Sequence, residues 1–306
     1  MSTGEGGAKA IIAALGANLG IALTKFLAFA LSGSSSMLAE AIHSVADSGN
    51  QLLLLIGGRR SQREATRRHP FGYGRERYIY AFIVSVVLFS VGGLFAIYEG
   101  VHKVQHPEAI HDWQWLPIAV LVIATGLEGF SFRTAVRETN HIRGNASWVQ
   151  FIRHARAPEL PIVLLEDSAA LIGLVLALLG VALTLATGNG VWDALGTLGI
   201  GALLVVVAVI LAIETKSLLI GESATPEQED AIEAALVGAP EVDRVIHMRT
   251  LHLGPEELLV AAKIGVAKEA TAGVVAAAID AAEERIRTAV PIARVIYLEP
   301  DIYREG

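Results

Sequence analysis

Two groups of ionisable residues sit inside stretches that are otherwise almost wholly apolar, and their types and spacing suit the handling of a cation. The first is Ala41-Ile-His43-Ser-Val-Ala-Asp47. On a helix, four residues advance the chain by about 6 Å and turn it about 40° past a full rotation, so His43 and Asp47 project from one face. An imidazole and a carboxylate on one face form half of a tetrahedral site for a borderline dication such as zinc. The same pair also suits a hydrogen-bonded helix contact or a proton-relay dyad, and spacing alone leaves all three open. The second group is Leu164-Leu165-Glu166-Asp167-Ser168. Neighbours on a helix diverge by about 100°, so these two carboxylates do not point at one ion together. One is expected to ligate, while the other lies behind it, pairs elsewhere or carries protons. If the helix began later, both would instead be first-turn residues favoured by the helix dipole. With no cysteine in the chain, thiolate metal sites, disulfides and a cysteine nucleophile are excluded, and a metal would be held by His, Asp and Glu.

The elements that position these groups are set by composition. The 306 residues are 53% hydrophobic and 18% charged, with mean hydropathy +0.52. That is greasier and more sparsely charged than a soluble domain, so a membrane protein is expected. The net charge of −7 argues against a nucleic-acid binder. A spanning helix needs about 20 apolar residues, and six stretches meet that length: Lys9–Leu31, Met37–Gly57, Tyr78–Tyr98, Leu116–Val136, Pro161–Ala186 and Val191–Glu214. The first is too long for a signal-peptide core and lacks a basic flank, so it is expected to stay as a span.

Loop charges orient the spans. Arg59, Arg60, Arg63, Arg67, Arg68, Arg75 and Arg77 follow the second span, and Arg133, Arg137, Arg143, Arg153 and Arg156 follow the fourth. The first and fifth loops carry no basic residue and the third only Lys103. By the positive-inside rule both termini face the cytoplasm. Asp47 then lies about 15 Å from its cytoplasmic helix end and Asp167 about 10–12 Å from its own, comparable depths for a shared site.

After Gly221 the composition changes. Ser223-Ala-Thr-Pro-Glu-Gln-Glu reads as a helix cap and acidic first turn. Alternating runs over Arg244–Leu253 and Leu258–Val266 read as a strand pair, Ala270–Val290 as a helix, and Arg294–Leu298 as a last strand. The expected fold is therefore an α-helical polytopic membrane protein. Residues 1–220 form a six-helix transmembrane domain, and residues 221–306 form a small cytoplasmic α+β domain of αββαβ, ferredoxin-like order.

Other polar residues have structural explanations. Asn18 suits a helix-packing hydrogen bond or donation to a ligating carboxylate. Glu128 suits a proton path or a pair with Arg133, and Lys25 with Glu40 a structural ion pair. Asp193 reads as the N-cap of the sixth span. His102, His106 and His111 fall in an outer loop. His247 and His252 are five apart on a strand, hence on opposite faces.

Gly33-Ser-Ser-Ser-Met-Leu-Ala-Glu-Ala-Ile-His43-Ser-Val-Ala-Asp47, followed by His69-Pro-Phe-Gly-Tyr-Gly-Arg75, resembles the cation diffusion facilitator family of divalent-metal/proton antiporters. Leu165-Glu166-Asp167-Ser-Ala-Ala-Leu-Ile-Gly173 and Asp193-Ala-Leu-Gly-Thr-Leu-Gly-Ile-Gly201 are similar to the branch containing the mitochondrial zinc transporter of animals. The resemblance implies a transport site with a His/Asp-x-x-x-Asp pair on each of spans two and five. His43 and Asp47 fill the first pair and Asp167 half of the second; the remaining position falls on Val163, and Glu166 is the candidate for the missing function. A further pair of histidines found in some relatives maps to His69 and Tyr73. The implied protein is not an enzyme and has no cofactor. It is a homodimeric carrier in the cell (inner) membrane that exports Zn2+ from the cytoplasm in exchange for protons. Mn2+, Fe2+, Co2+ or Cd2+ as the ion, or a proton-coupled carrier of organic cations, are the alternatives.

Overall fold

The computed structural model describes residues 3–108, 110, 113–238 and 242–303, with backbone alone for 3–17. The chain divides into two compact units, Met1–Gly57 with Ile79–Thr215, and Gly58–Tyr78 with Lys216–Gly306.

The first unit is built from long helices: α1 (Thr3–Ser32), α2 (Ser35–Ser61), α3 (Glu76–Val87), α4 (Phe95–Gln105), α5 (Trp115–Arg143), the short α6 (Trp148–His154), α7 (Glu159–Thr187) and α8 (Val191–Ile220). A π-helical stretch, Leu88–Leu94, joins α3 to α4, so the expected third span is one rod over Glu76–Gln105 with a wider turn in its middle. Among the described residues four helical segments are long and apolar enough to cross a membrane: Glu76–Gln105, Trp115–Arg143, Glu159–Thr187 and Val191–Ile220. Gly33, at φ 70°, turns the chain between α1 and α2.

Polarity in this unit is inverted relative to a water-soluble bundle. Leu19, Leu23, Leu27 and Leu31 form an exposed i, i+4 stripe on α1, and Ile172, Val175, Leu179 and Leu183 are exposed on α7. Lys25, Glu40, His43, Asn50, Glu166 and Asp193 are buried instead. Apolar side chains outside and ionisable ones inside are what a hydrocarbon solvent selects, because a charge facing lipid costs several kcal/mol. The protein is therefore a multi-pass membrane protein.

One buried cluster corrects the sequence reading. Asp193 lies inside the first turn of α8 and caps α2 instead of its own helix. Its Oδ1 accepts from Ser34 Oγ at 2.9 Å and from Ser36 N–H at 3.3 Å, and its Oδ2 accepts from Ser35 N–H at 2.6 Å and Ser35 Oγ at 3.1 Å. A carboxylate meeting the free N–H groups and positive end of a helix dipole is stabilising wherever in the chain it comes from. The segment between spans four and five is also more ordered than expected. Arg133, Arg137 and Arg143 belong to α5, and Ser147 begins α6 with a reciprocal cap to Gln150.

In the second unit the elements follow the expected order: α9 (Pro226–Val237), β1 (Arg244–Gly254), β2 (Glu257–Gly265), α10 (Ala272–Ala289) and β3 (Ala293–Asp301). Thr225 caps α9 through a reciprocal box with Gln228, and Pro226 opens the helix. The sheet order is β1-β2-β3, with β1 antiparallel and β3 parallel to the central β2. Leu258, Val260, Ala262 and Ile264 alternate along β2 onto the face that buries Ile232 and Leu236 of α9 and Ala282 and Ile286 of α10. The segment 58–78 also belongs here: a Cβ added at Gly74 would lie 2.7 Å from the Leu253 carbonyl, so only glycine permits that approach to the end of β1.

Candidate intramembrane cation site

Helix α2 carries Glu40, His43, Asp47 and Asn50 at spacings of three and four, which stacks them on one side of the helix. His43 is 1% exposed, and its Nδ1 lies 3.4 Å from Asp47 Oδ1 without the alignment of a hydrogen bond. Neither ring nitrogen of His43 nor Oδ1 of Asp47 has a hydrogen-bond partner. Buried polar atoms without protein partners are costly and call for an ordered water, a proton or a bound ion to satisfy them.

Opposite them, α7 supplies the adjacent carboxylates, and the helix turn separates their roles. Glu166 is buried and accepts from Asn50 Nδ2 at 2.6 Å. Asp167 accepts from Ser131 Oγ of α5 at 3.0 Å. A cleft of about 520 Å³ opens between these helices, and its lining includes Asn18, Ser44, Asp47, Gln51, Glu128 and Asp167. The structure thus brings Asp47 and Asp167 to one cleft and sets His43 beside Asp47, while Glu166 lies outside the cleft lining on Asn50. Among the described residues no three His, Asp or Glu side chains are gathered closely enough to hold a metal ion. Binding at this place therefore needs the carboxylates of α2 and α7 to draw together.

The remaining candidates each have their own surroundings, inside and outside this cleft. Asn18 donates to Gln51 Oε1 at 3.3 Å, the helix-packing contact. Lys25 pairs with Glu40 at 2.9 Å and also donates to Ser44 Oγ at 2.8 Å. Glu128 lines the cleft. The rings of His69 and Tyr73 lie 4.7 Å apart at an angle of 42°. His102 belongs to α4, not to a loop, and its ring is 5.1 Å from that of His106; His111 lies outside the described residues. His247 is exposed and His252 buried, on opposite faces of β1. Asn50, Gln51 and Ser131 went unnoticed in the sequence. The signal for Asn50 was present, since it stands three residues beyond Asp47 on the same face; for Ser131 nothing in one sequence marks a serine as a carboxylate's donor.

An apolar exterior around a cleft lined by the half-buried carboxylates of Asp47, Glu128 and Asp167 defines a multi-pass membrane protein with a polar cleft among its helices. The sequence matches the cation efflux transmembrane domain over residues 11–220, and the chain belongs to that family of transporters. It is 35% identical over 257 residues to the human proton-coupled zinc antiporter SLC30A9, mitochondrial, covering 82% of this chain and 44% of that protein. The Xenopus laevis counterpart is 32% identical over 262 residues, covering 85% and 47%. Metal tolerance protein C4 of Arabidopsis thaliana is 29% identical over 253 residues, covering 81% and 54%. The chain spans less than half the length of the SLC30A9 proteins it matches.

Proposed function

We propose that this protein is a secondary active transporter that carries Zn2+ out of the cytoplasm in exchange for protons. The observation that carries the proposal is the placing of Asp47 of α2 and Asp167 of α7 on one cleft, with buried His43 3.4 Å from Asp47 and neither its ring nitrogens nor Asp47 Oδ1 hydrogen-bonded within the protein. Family membership supports transport of a cation, and the likeness to proton-coupled zinc antiporters supports zinc and protons as the exchanged ions. One imidazole with two carboxylates is a donor set suited to a borderline dication.

In the proposed cycle, Zn2+ enters the cleft and is held by neutral His43 with ionised Asp47 and Asp167. Asn50 keeps Glu166 behind the site, where it adds negative charge. These ligands bind metal only when deprotonated, so metal and protons exclude one another at the same atoms. Rocking of α2 and α7 against their neighbours then exposes the site on the other side, where protons load the ligands and zinc leaves; a site within the membrane and a moving helical framework suit alternating access. The proposal includes six spans, formed by α1, α2, the α3–α4 rod, α5, α7 and α8, with both termini on the cytoplasmic side of a cell membrane. Residues 1–220 form the transport domain. The cytoplasmic domain over 221–306 is ferredoxin-like and serves dimerisation.

Reconstituted into sealed vesicles, the protein is expected to accumulate zinc against its gradient when a proton gradient is imposed, and to do so less as the entry side is acidified. The double variant His43→Ala/Asp47→Ala is expected to abolish accumulation. Zinc accumulation equal to wild type in that variant removes the site assignment. Accumulation of organic amines in place of zinc removes the substrate.

A further inference from the structure

Lys25 and Glu40 are the most deeply buried ion pair among the described residues, 1% and 0% exposed, and the proposed transport cycle makes no use of them. Glu40 stands three residues before His43 on the ligand-bearing side of α2, so their Cβ atoms are about 5–6 Å apart. Its Oε2 accepts from Lys25 Nζ at 2.9 Å, while its Oε1 has no hydrogen-bond partner. The same ammonium donates at 2.8 Å to Ser44, the residue after His43 and a wall of the cleft. Helix α7 closes the niche from the other side: a Cβ added at Gly173 would lie 2.7 Å from Glu40 Oε1. Thus a third carboxylate is stored beside the proposed ligands, with its charge balanced by a lysine and its position fixed between two helices.

A buried ion pair gains little stability over an apolar pair of the same shape, so its presence calls for another explanation. The donor chemistry supplies one. An imidazole with two carboxylates suits zinc, whereas an additional carboxylate shifts the set towards the oxygen-rich coordination that Mn2+ favours. We propose that Lys25 is a specificity-determining residue which holds Glu40 out of the ligand set and so keeps the site selective for zinc over manganese. The inference rests on His43, Asp47 and Asp167 being the transport ligands. Lys25 acts through Glu40 and touches no ion itself.

The test is the ratio of zinc to manganese uptake by the full chain in sealed vesicles. Lys25→Met frees Glu40, and the ratio is expected to fall by about tenfold, the scale on which residues behind a metal ligand act. Lys25→Met/Glu40→Gln removes the freed carboxylate and is expected to return the ratio to that of wild type. A wild-type ratio in Lys25→Met, or a double variant as altered as the single, overturns the proposal. If Lys25→Met does not fold, Glu40→Gln carries the test. It leaves an unbalanced ammonium beside the site, so zinc uptake should fall by about tenfold and recover in the double variant. Equal loss in Glu40→Gln and in the double variant overturns the proposal and marks the pair as structural. Failure of the site itself is read separately, as zinc uptake that survives His43→Ala/Asp47→Ala.

Discussion

Asn50 of α2 donates to Glu166 Oε1 at 2.6 Å and Ser131 of α5 donates to Asp167 Oδ2 at 3.0 Å, and of these two adjacent carboxylates Asp167 lines the cleft. In the sequence Glu166 and Asp167 are equivalent candidates; helix geometry says only that they diverge, and which one turns inward depends on partners contributed by α2 and α5. Asp167 therefore carries the ligand role in the proposed cycle and Glu166 the supporting one. Asp167→Asn is expected to lower zinc uptake at least about tenfold, and Glu166→Gln to lower it less, because it keeps the shape of the side chain behind the site. Measured side by side in vesicles, a larger loss in Glu166→Gln reverses the assignment. His43 and Asp47 were legible because the i, i+4 rule is local to one helix. Lys25 with Glu40 was legible as a pair, but its contact with Ser44 beside His43 was not, since contacts between helices leave no mark in the spacing of either.

At the scale of elements, the long apolar stretches and the αββαβ order were readable because hydrophobic length and period are properties of contiguous sequence. What escaped were features set by neighbouring helices. The π-helical stretch Leu88–Leu94 has the composition of any apolar helix, and the short α6 is hidden in a segment rich in charge. Asp193 looked like the cap of its own helix, because an acidic residue near a helix start usually is one. Its carboxylate instead receives four hydrogen bonds from Ser34, Ser35 and Ser36, fixing the N-terminus of α2 to α8. Asp193→Asn keeps the shape but removes the charge and one acceptor. It is expected to destabilise the folded protein by about 1–3 kcal/mol, as for a buried hydrogen bond to a charged group. Thermal unfolding in detergent checks this, and an unchanged midpoint contradicts the role given to Asp193 in holding α2.

For the whole molecule, the inverted polarity ties fold to function. Apolar stripes facing outward on α1 and α7 suit hydrocarbon, which leaves the interior free to gather Asp47, Glu128 and Asp167 on one cleft with His43 beside Asp47. Each of those groups is costly in a membrane unless it meets an ion, a proton or a partner. In the proposed function the unpartnered atoms of His43 and Asp47 hold the cargo, and membership of the cation efflux family supports a cation in that place. The most direct measurement is an anomalous difference map at the zinc edge from crystals of the full chain grown with zinc. The expected result is a peak between α2 and α7, within bonding distance of His43, Asp47 and Asp167 at about 2.0–2.2 Å. A peak elsewhere, with no density within bonding distance of these three side chains, contradicts the proposed site.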